Sequence, residues 1–261
     1  MNIFFTAAAV LLFSGCVSEQ PSDITLDELE QKMAKAIDPT GEYKKASTYF
    51  QRQNIKEEGF FSDKHQLVEV KFQRPDKFKF SYYEKNKVAT EIISVGGRAW
   101  AVDYNNAKLI EIQGEALEKF KVMLALGHPD TDYAELFAQV DMTLTTLEDD
   151  RQYYKLVCHP KLPGSNPIVI YVDKITSLPK RMELAVKTVN GTVESVSDIV
   201  EYRPFGKINV ASLTNVTEGS REYTTRVVDY QLNAHFSDKE FDLPTFDLVL
   251  WESYKQQNRR R

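Results

Sequence analysis

A strict two-residue alternation brackets an Arg-Pro dipeptide and constrains the fold more than any other feature of this chain. Val68, Val70 and Phe72 alternate with Glu69 and Lys71; after Arg74-Pro75-Asp76, Phe78, Phe80 and Tyr82 alternate with Lys77, Lys79 and Ser81. Successive side chains of a strand point to opposite faces, so these segments require a sheet with one apolar and one wet face. The pattern runs on through 88–95, a Gly96-Gly97 turn, 99–104 with Trp100 and Val102, an Asn105-Asn106 turn and 108–112. Turn signals this closely spaced describe an antiparallel meander.

Seven further strands are expected at 142–147, 153–158, 168–173, 180–189, 192–202, 209–217 and 223–233, with Asn190-Gly191 as a type I′ hairpin signal. Three helices accompany them. Thr25-Leu26-Asp27-Glu28 reads as a capping box ahead of Leu26, Leu29, Met33, Ala36 and Ile37 at helical spacing, closed by Asp38-Pro39-Thr40-Gly41. Residues 115–126 carry Leu117, Phe120, Met123 and Leu124 and stop at Gly127-His128-Pro129; residues 132–139 carry Tyr133, Leu136 and Phe137. About twelve strands at a spacing of about 4.8 Å make a sheet roughly 55 Å wide, while helices about 10 Å across cover only about 30 Å of it. Such a sheet curls, and too few helices to fill it leave a concave apolar space. The expected class is therefore α+β, mainly β: a curved antiparallel sheet of about eleven or twelve strands with short helices and a concave apolar space.

Composition narrows the chemistry. A net charge of -5 over 261 residues argues against a general nucleic-acid binder. Two Cys and four His leave no disulfide scaffold and little for a metal site, and no cofactor is expected. The sequence holds no Gly-x-Ser-x-Gly elbow, phosphate-binding glycine loop or His-Glu-x-x-His motif, so it is read as a non-enzyme. Cys158 is expected as a buried small hydrophobe.

The N-terminus points to the cell envelope. Residues 3–13 are apolar except Thr6, too short for a bilayer span and the right length for a signal-peptide core. Leu12-Phe13-Ser14-Gly15-Cys16 resembles the lipobox of bacterial lipoproteins, with Phe13 in place of the usual Leu and no Lys or Arg before the apolar run. That resemblance implies a signal peptide over 1–15, an acylated Cys16 (palmitate being an expected chain) as membrane anchor, and a lipidated tether over 16–24. Val17 rather than Asp beside Cys16 implies the periplasmic face of the outer membrane. A domain over 25–244 and a basic C-terminal tail over 245–261 complete the expected organisation. Phe246, Leu248, Val249, Leu250 and Trp251 in that tail read as an edge segment, Arg259-Arg260-Arg261 as a solvated end.

Several features in order resemble the bacterial outer-membrane lipoprotein carrier (LolA/LolB-like) family: a helix, a strand, the strand–Arg-Pro–aromatic strand of 70–80, the hairpin of 95–104, a helical insert at 114–139, and a closing segment at 230–244. The likeness covers about 40–244. It implies a curved antiparallel half-barrel of about eleven or twelve strands with short helices closing an apolar cavity, binding of lipid or of lipoprotein acyl chains, for carriage or insertion at the outer membrane, and other envelope proteins as further partners. An interaction or stress-sensor lipoprotein on the same fold is the alternative. On this reading Val70, Phe72, Phe78, Phe80, Tyr82 and Trp100 line one concave apolar face, although alternation alone also fits a filled core of the same residues. Leu117, Phe120, Met123 and Leu124 form the apolar stripe of a lid, and Arg74, by its place in the Arg-Pro motif, holds that lid by hydrogen bonds.

Overall fold

A computed structural model describes residues 19–57, 64–188, 191–237, 239–251, 253 and 256. The expected signal peptide, Cys16, most of the basic end and Asn190 lie outside the described residues.

The alternating segments form strands because each buries one face. The chain first makes a six-stranded meander, β2 (Thr48–Glu57), β3 (Lys64–Gln73), β4 (Lys77–Glu84), β5 (Lys87–Val95), β6 (Arg98–Asp103) and β7 (Lys108–Ile112). A second meander comes after it: β8 (Phe137–Thr146), β9 (Gln152–Pro160), β10 (Ile168–Asp173), β11 (Pro179–Thr188), β12 (Gly191–Phe205), β13 (Ile208–Glu218) and β14 (Arg221–Leu232). β14 pairs antiparallel with β2, with Leu232 opposite Tyr49, which joins the meanders edge to edge. β1 (Gln20–Pro21) adds to β8 at one edge and β15 (Asp247–Leu250) adds parallel to β7 at the other. The result is one open, curved sheet of fifteen strands, three more than expected.

The three additional strands escape the alternation pattern for different reasons. β2 is central, paired with both β14 and β3, yet its faces read Tyr49, Gln51, Gln53, Ile55 and Phe50, Arg52, Asn54, Lys56. Gln51 Nε2 donates to Gln53 Oε1 at 3.2 Å, so amides satisfy each other on a face that would otherwise carry apolar residues. β1 is two residues long and ends on a proline, which cannot extend a ladder. β15 carries the expected edge segment, with Leu248 and Leu250 about half exposed. The expected closing segment also changes: β14 ends at Leu232, and among the described residues none from 233 to 246 is in a strand.

Helix α1 (Leu26–Ile37) starts at the capping box: Thr25 Oγ1 accepts from Glu28 N at 3.2 Å, and Glu28 Oε2 accepts from Thr25 N at 2.8 Å. Its Leu29 and Met33 are buried against Leu144, Tyr154, Leu156, Cys158 and Ile170 of β8–β10. Asp38 then accepts from the backbone N–H groups of Glu42 and Tyr43 and starts α2 (Glu42–Lys45). α3 spans Glu115–Leu126 as expected. The third expected helix is cut to α4 (Tyr133–Leu136), because Phe137 already pairs with Pro160 in β8. Its apolar residues serve a helical turn and a strand start: Tyr133 and Phe137 are both buried, their rings stacked at 6.2 Å.

Pairing register sorts the sheet into an inner, helix-bearing face and an outer one. Val70 lies opposite Phe80 and Phe72 opposite Phe78, and this set shares the inner face with Ser94, Ile92, Ala99 and Ala101. Trp100 lies opposite Ile93 and therefore on the outer face, where it packs with Val102, Leu109 and Phe246 beneath the Arg98 guanidinium. The expectation that Trp100 lines the concave face is corrected. Both faces of β6 are apolar (Ala99, Ala101 against Trp100, Val102), so alternation does not choose between them.

The outer face of β2–β6 is covered by the segment after β14 and held by charges. Lys71 Nζ pairs with Glu240 Oε1 at 2.7 Å, and Lys79 Nζ lies 3.1 Å from Glu91 and donates to the Glu240 carbonyl at 3.2 Å. Glu91 also accepts from Ser81 and from Tyr104, and Glu69 from Arg52 and Tyr83. Each of these carboxylates is hydrogen-bonded, as the burial of a charged group requires.

Candidate functional site

A cavity of about 980 Å³ lies beneath α3, between the two flanks of the inner face. One wall comes from the β3–β4 and β5–β6 ends through Phe72, Pro75, Ser94 and Gly97. The opposite wall comes from Leu136, Leu162, Ile168 and Leu184, and α3 forms the cover. The lining is mainly apolar, as an acyl-chain or other hydrophobic-ligand site requires.

α3 touches both flanks and is buried in neither. Phe120 and Leu124 lean on the cluster of Tyr43, Tyr49, Phe72, Phe78 and Ile208, with Phe120 edge-on to Phe78 at 5.6 Å. Val122 and Leu126 lean on the cluster around α1. No residue of this twelve-residue helix is buried. Leu117, Phe120, Met123 and Leu124 all border the cavity, but Met123 is 41% exposed and stands at the rim. The helix enters through Gly114 at φ 58°, ψ −135°, a conformation suited only to glycine, and no side chain caps it.

The expected ligand set is only partly gathered around this space. Phe72 borders the cavity; Val70, Phe78 and Phe80 pack in the neighbouring aromatic cluster, and Tyr82 lies further along the same face, half-buried. Phe72 and Phe78 are buried, so near β3 and β4 the filled-core reading holds, and the open volume is displaced toward α3 and the β9–β10 loop.

Arg74 joins Pro75 through a cis peptide bond, and its side chain turns to α2. Its Nε donates to the Ala46 carbonyl at 3.0 Å and its Nη2 to the Tyr43 carbonyl at 3.2 Å, with the guanidinium 5.2 Å from the Tyr43 ring. Among the described residues Arg74 has no hydrogen bond to α3, so the direct lid contact is corrected to an indirect one. Tyr43 is the intermediary: its hydroxyl is 2.7 Å from Nδ1 of His128, the residue after α3's C-cap Gly127.

His128 is the site residue that the sequence pattern does not reveal. Its ring is set edge-on to Tyr43, Tyr49 and Phe72, at centroid distances of 5.7, 6.3 and 4.9 Å, and it borders the cavity. Burial, reinforced by Arg74, pushes its pKa down, while Asp130 opposes the shift; near neutral pH the imidazole is uncharged. In sequence it is one residue of a Gly-His-Pro helix stop, with nothing to separate it from a surface histidine.

Nucleophilic chemistry finds no support at the one described thiol. Cys158 is fully buried, and burial pushes its pKa up to about 12, which leaves it an unreactive thiol. His159, adjacent in sequence, points outward to Asp141 at 3.0 Å.

An open curved antiparallel sheet with a helix laid across an apolar hollow defines the fold class. No protein-family model and no curated protein matches the sequence. Solved structures do share the fold. A LolA superfamily protein from Nitrosomonas europaea aligns over 84% of this chain and 98% of its own, with a TM-score of 0.56 and 13% identity. An outer membrane lipoprotein-sorting protein domain from Vibrio parahaemolyticus aligns over 82% and 95%, with a TM-score of 0.55 and 12% identity. A DUF1329 family protein from Desulfovibrio piger aligns over 83% and 96%, with a TM-score of 0.57 and 13% identity. The chain has the LolA-like fold, as its sequence pattern implied.

Proposed function

We propose that this protein is an envelope lipoprotein that binds the acyl chains of lipids or lipoproteins in the cavity beneath α3, for carriage or insertion at the outer membrane. The observation that carries the reading is that cavity: about 980 Å³, mainly apolar, on a LolA-like sheet and covered by a helix with no buried residue. A binding role rather than catalysis agrees with the apolar lining and the inert Cys158. The anchor is part of the proposal and rests on the lipobox-like run ending at Cys16. If Cys16 is acylated, only Val17 and Ser18 separate it from Glu19, whose carboxylate meets Lys155, and from β1. The free tether is then about 10 Å at full stretch, which holds the β1–β8 edge close to the membrane surface.

Mass spectrometry of lipid extracted from the purified full chain tests the binding role, with Ala125→Trp as control because Ala125 borders the cavity. Wild type is expected to carry stoichiometric lipid and the variant measurably less, the indole occupying chain volume. Equal lipid in both, or none in wild type, would overturn the reading. Membrane fractionation of Cys16→Ala tests the anchor: a membrane fraction and mass identical to wild type would remove it.

A further inference from the structure

The cavity's size and the charge at its rim identify its ligand more narrowly than a hydrophobic molecule, given the lipid-binding role proposed above, on which this identification rests. We infer that the site takes a two-chain lipid whose head carries a positively charged amine, and discriminates against anionic head groups and against a third acyl chain.

Capacity is the first argument. At roughly 30 Å³ per chain carbon, about the share of one water molecule in its liquid, a space of this size holds about thirty-three carbons. That is two chains of about sixteen carbons each; a third would have to displace α3 or remain outside. Phe120 and Leu124 of the covering helix are packed against the aromatic cluster rather than withdrawn, so the space exists with the cover in place.

Charge complementarity is the second argument. Five carboxylates and three ammonium groups border the cavity. Two of the ammonium groups are neutralised by carboxylates, Lys121 by Glu118 at 2.9 Å and Lys119 by Glu115 at 2.6 Å, while Lys161 donates to the Glu135 carbonyl and keeps its charge. Asp76, Asp130, Asp132 and Glu135 form no salt bridge among the described residues, so carboxylates outnumber the one remaining ammonium, and His128, near Asp130, is held neutral by burial. A head group at this rim therefore meets uncompensated negative charge, which attracts an ammonium and repels a bare phosphate. Such an ammonium is offered both by phosphatidylethanolamine and by the free amine of a diacylated polypeptide.

Native mass spectrometry of the full chain in competition decides it, using vesicles of equimolar phosphatidylethanolamine and phosphatidylglycerol, then a diacylated against a triacylated lipopeptide. The expected result is one amine-bearing two-chain ligand per protein, favoured about tenfold in each pairing, a difference of about 1.4 kcal/mol; the tighter of phosphatidylethanolamine and diacyl lipopeptide names the source. Asp76→Asn with Asp130→Asn should bring the ethanolamine-to-glycerol ratio close to one. Equal retention of the two phospholipids, or a ratio unmoved by the double substitution, would overturn the head-group assignment, and equal retention of the triacyl lipopeptide would overturn the capacity. No ligand in any arm would instead overturn lipid binding itself, and this inference with it.

Discussion

α1 and α3 are both twelve-residue helices on the inner face of one sheet, both legible from apolar spacing, and they do opposite jobs. α1 is capped at its start by a reciprocal Thr25–Glu28 pair, buries Leu29 and Met33, and has its end tied down by Asn209 Nδ2 donating to the Ala36 carbonyl at 2.8 Å. α3 begins at an uncapped glycine with positive φ, has no fully buried residue, and its ion pairs Lys119–Glu115 and Lys121–Glu118 are internal and exposed. Periodicity says that a helix has an apolar stripe; it does not say whether the stripe meets a packed wall or a hollow. The difference lies in the ends and in what stands opposite, and it makes α1 a part of the core and α3 a cover.

Leu29→Ala should give the largest effect and sets the scale of this contrast. It empties a fully buried site and should cost about 3 kcal/mol or more in chemical denaturation, against less than about 1 kcal/mol for Met123→Ala at the exposed rim. Comparable losses at both would mean that α3 is core. Gly114→Ala comes next: no atom would meet the new methyl, but the backbone conformation is one that a side chain disfavours, at about 1–3 kcal/mol. The loss should appear as faster amide exchange in α3 with α1 unchanged; exchange rising equally in both helices would count against a separable cover. Thr25→Ala should cost about 1 kcal/mol through loss of the cap, with α3 exchange unmoved.

The smallest expected effect depends on pH. His128 has a folded-state pKa below its ordinary value, so the unfolded or opened state binds more protons once the pH drops below about 6.5. Stability of the α3 end should therefore fall as pH is lowered from about 7 toward about 5, and His128→Phe should flatten that slope. Tyr43→Phe, which removes the hydroxyl that meets Nδ1, should loosen α3 at neutral pH. A His128→Phe protein with the wild-type pH slope would place the titration elsewhere.

The sheet is largely legible in the sequence because most strands bury one face and wet the other. β3 and β4 show the pattern with lysines and a glutamate on the outer face, where Lys71, Lys79 and Glu69 indeed lie. β2 is illegible because its glutamines satisfy one another on a half-filled face, which alternation reads as loop. Alternation misplaces Trp100 because parity is lost across the Gly96-Gly97 turn, and β6 is apolar on both sides. The cavity position depends on how two distant meanders meet through β14 and β2, a pairing between residues more than 160 apart that no local pattern encodes. The Arg-Pro motif marks Arg74 as a holding residue, but its partners are the α2 carbonyls, and the step from Tyr43 to His128 exists only in three dimensions.

Hydrogen exchange of residues 115–126 against residues 26–37, measured on the full chain with and without bound diacyl lipid, tests the central claim most directly. The account predicts that α3 exchanges faster than α1 in the lipid-free protein and slows severalfold when the cavity is filled, while α1 does not change. Equal protection of the two helices without lipid, or an α3 rate indifferent to lipid, would contradict it and make α3 a fixed part of the core.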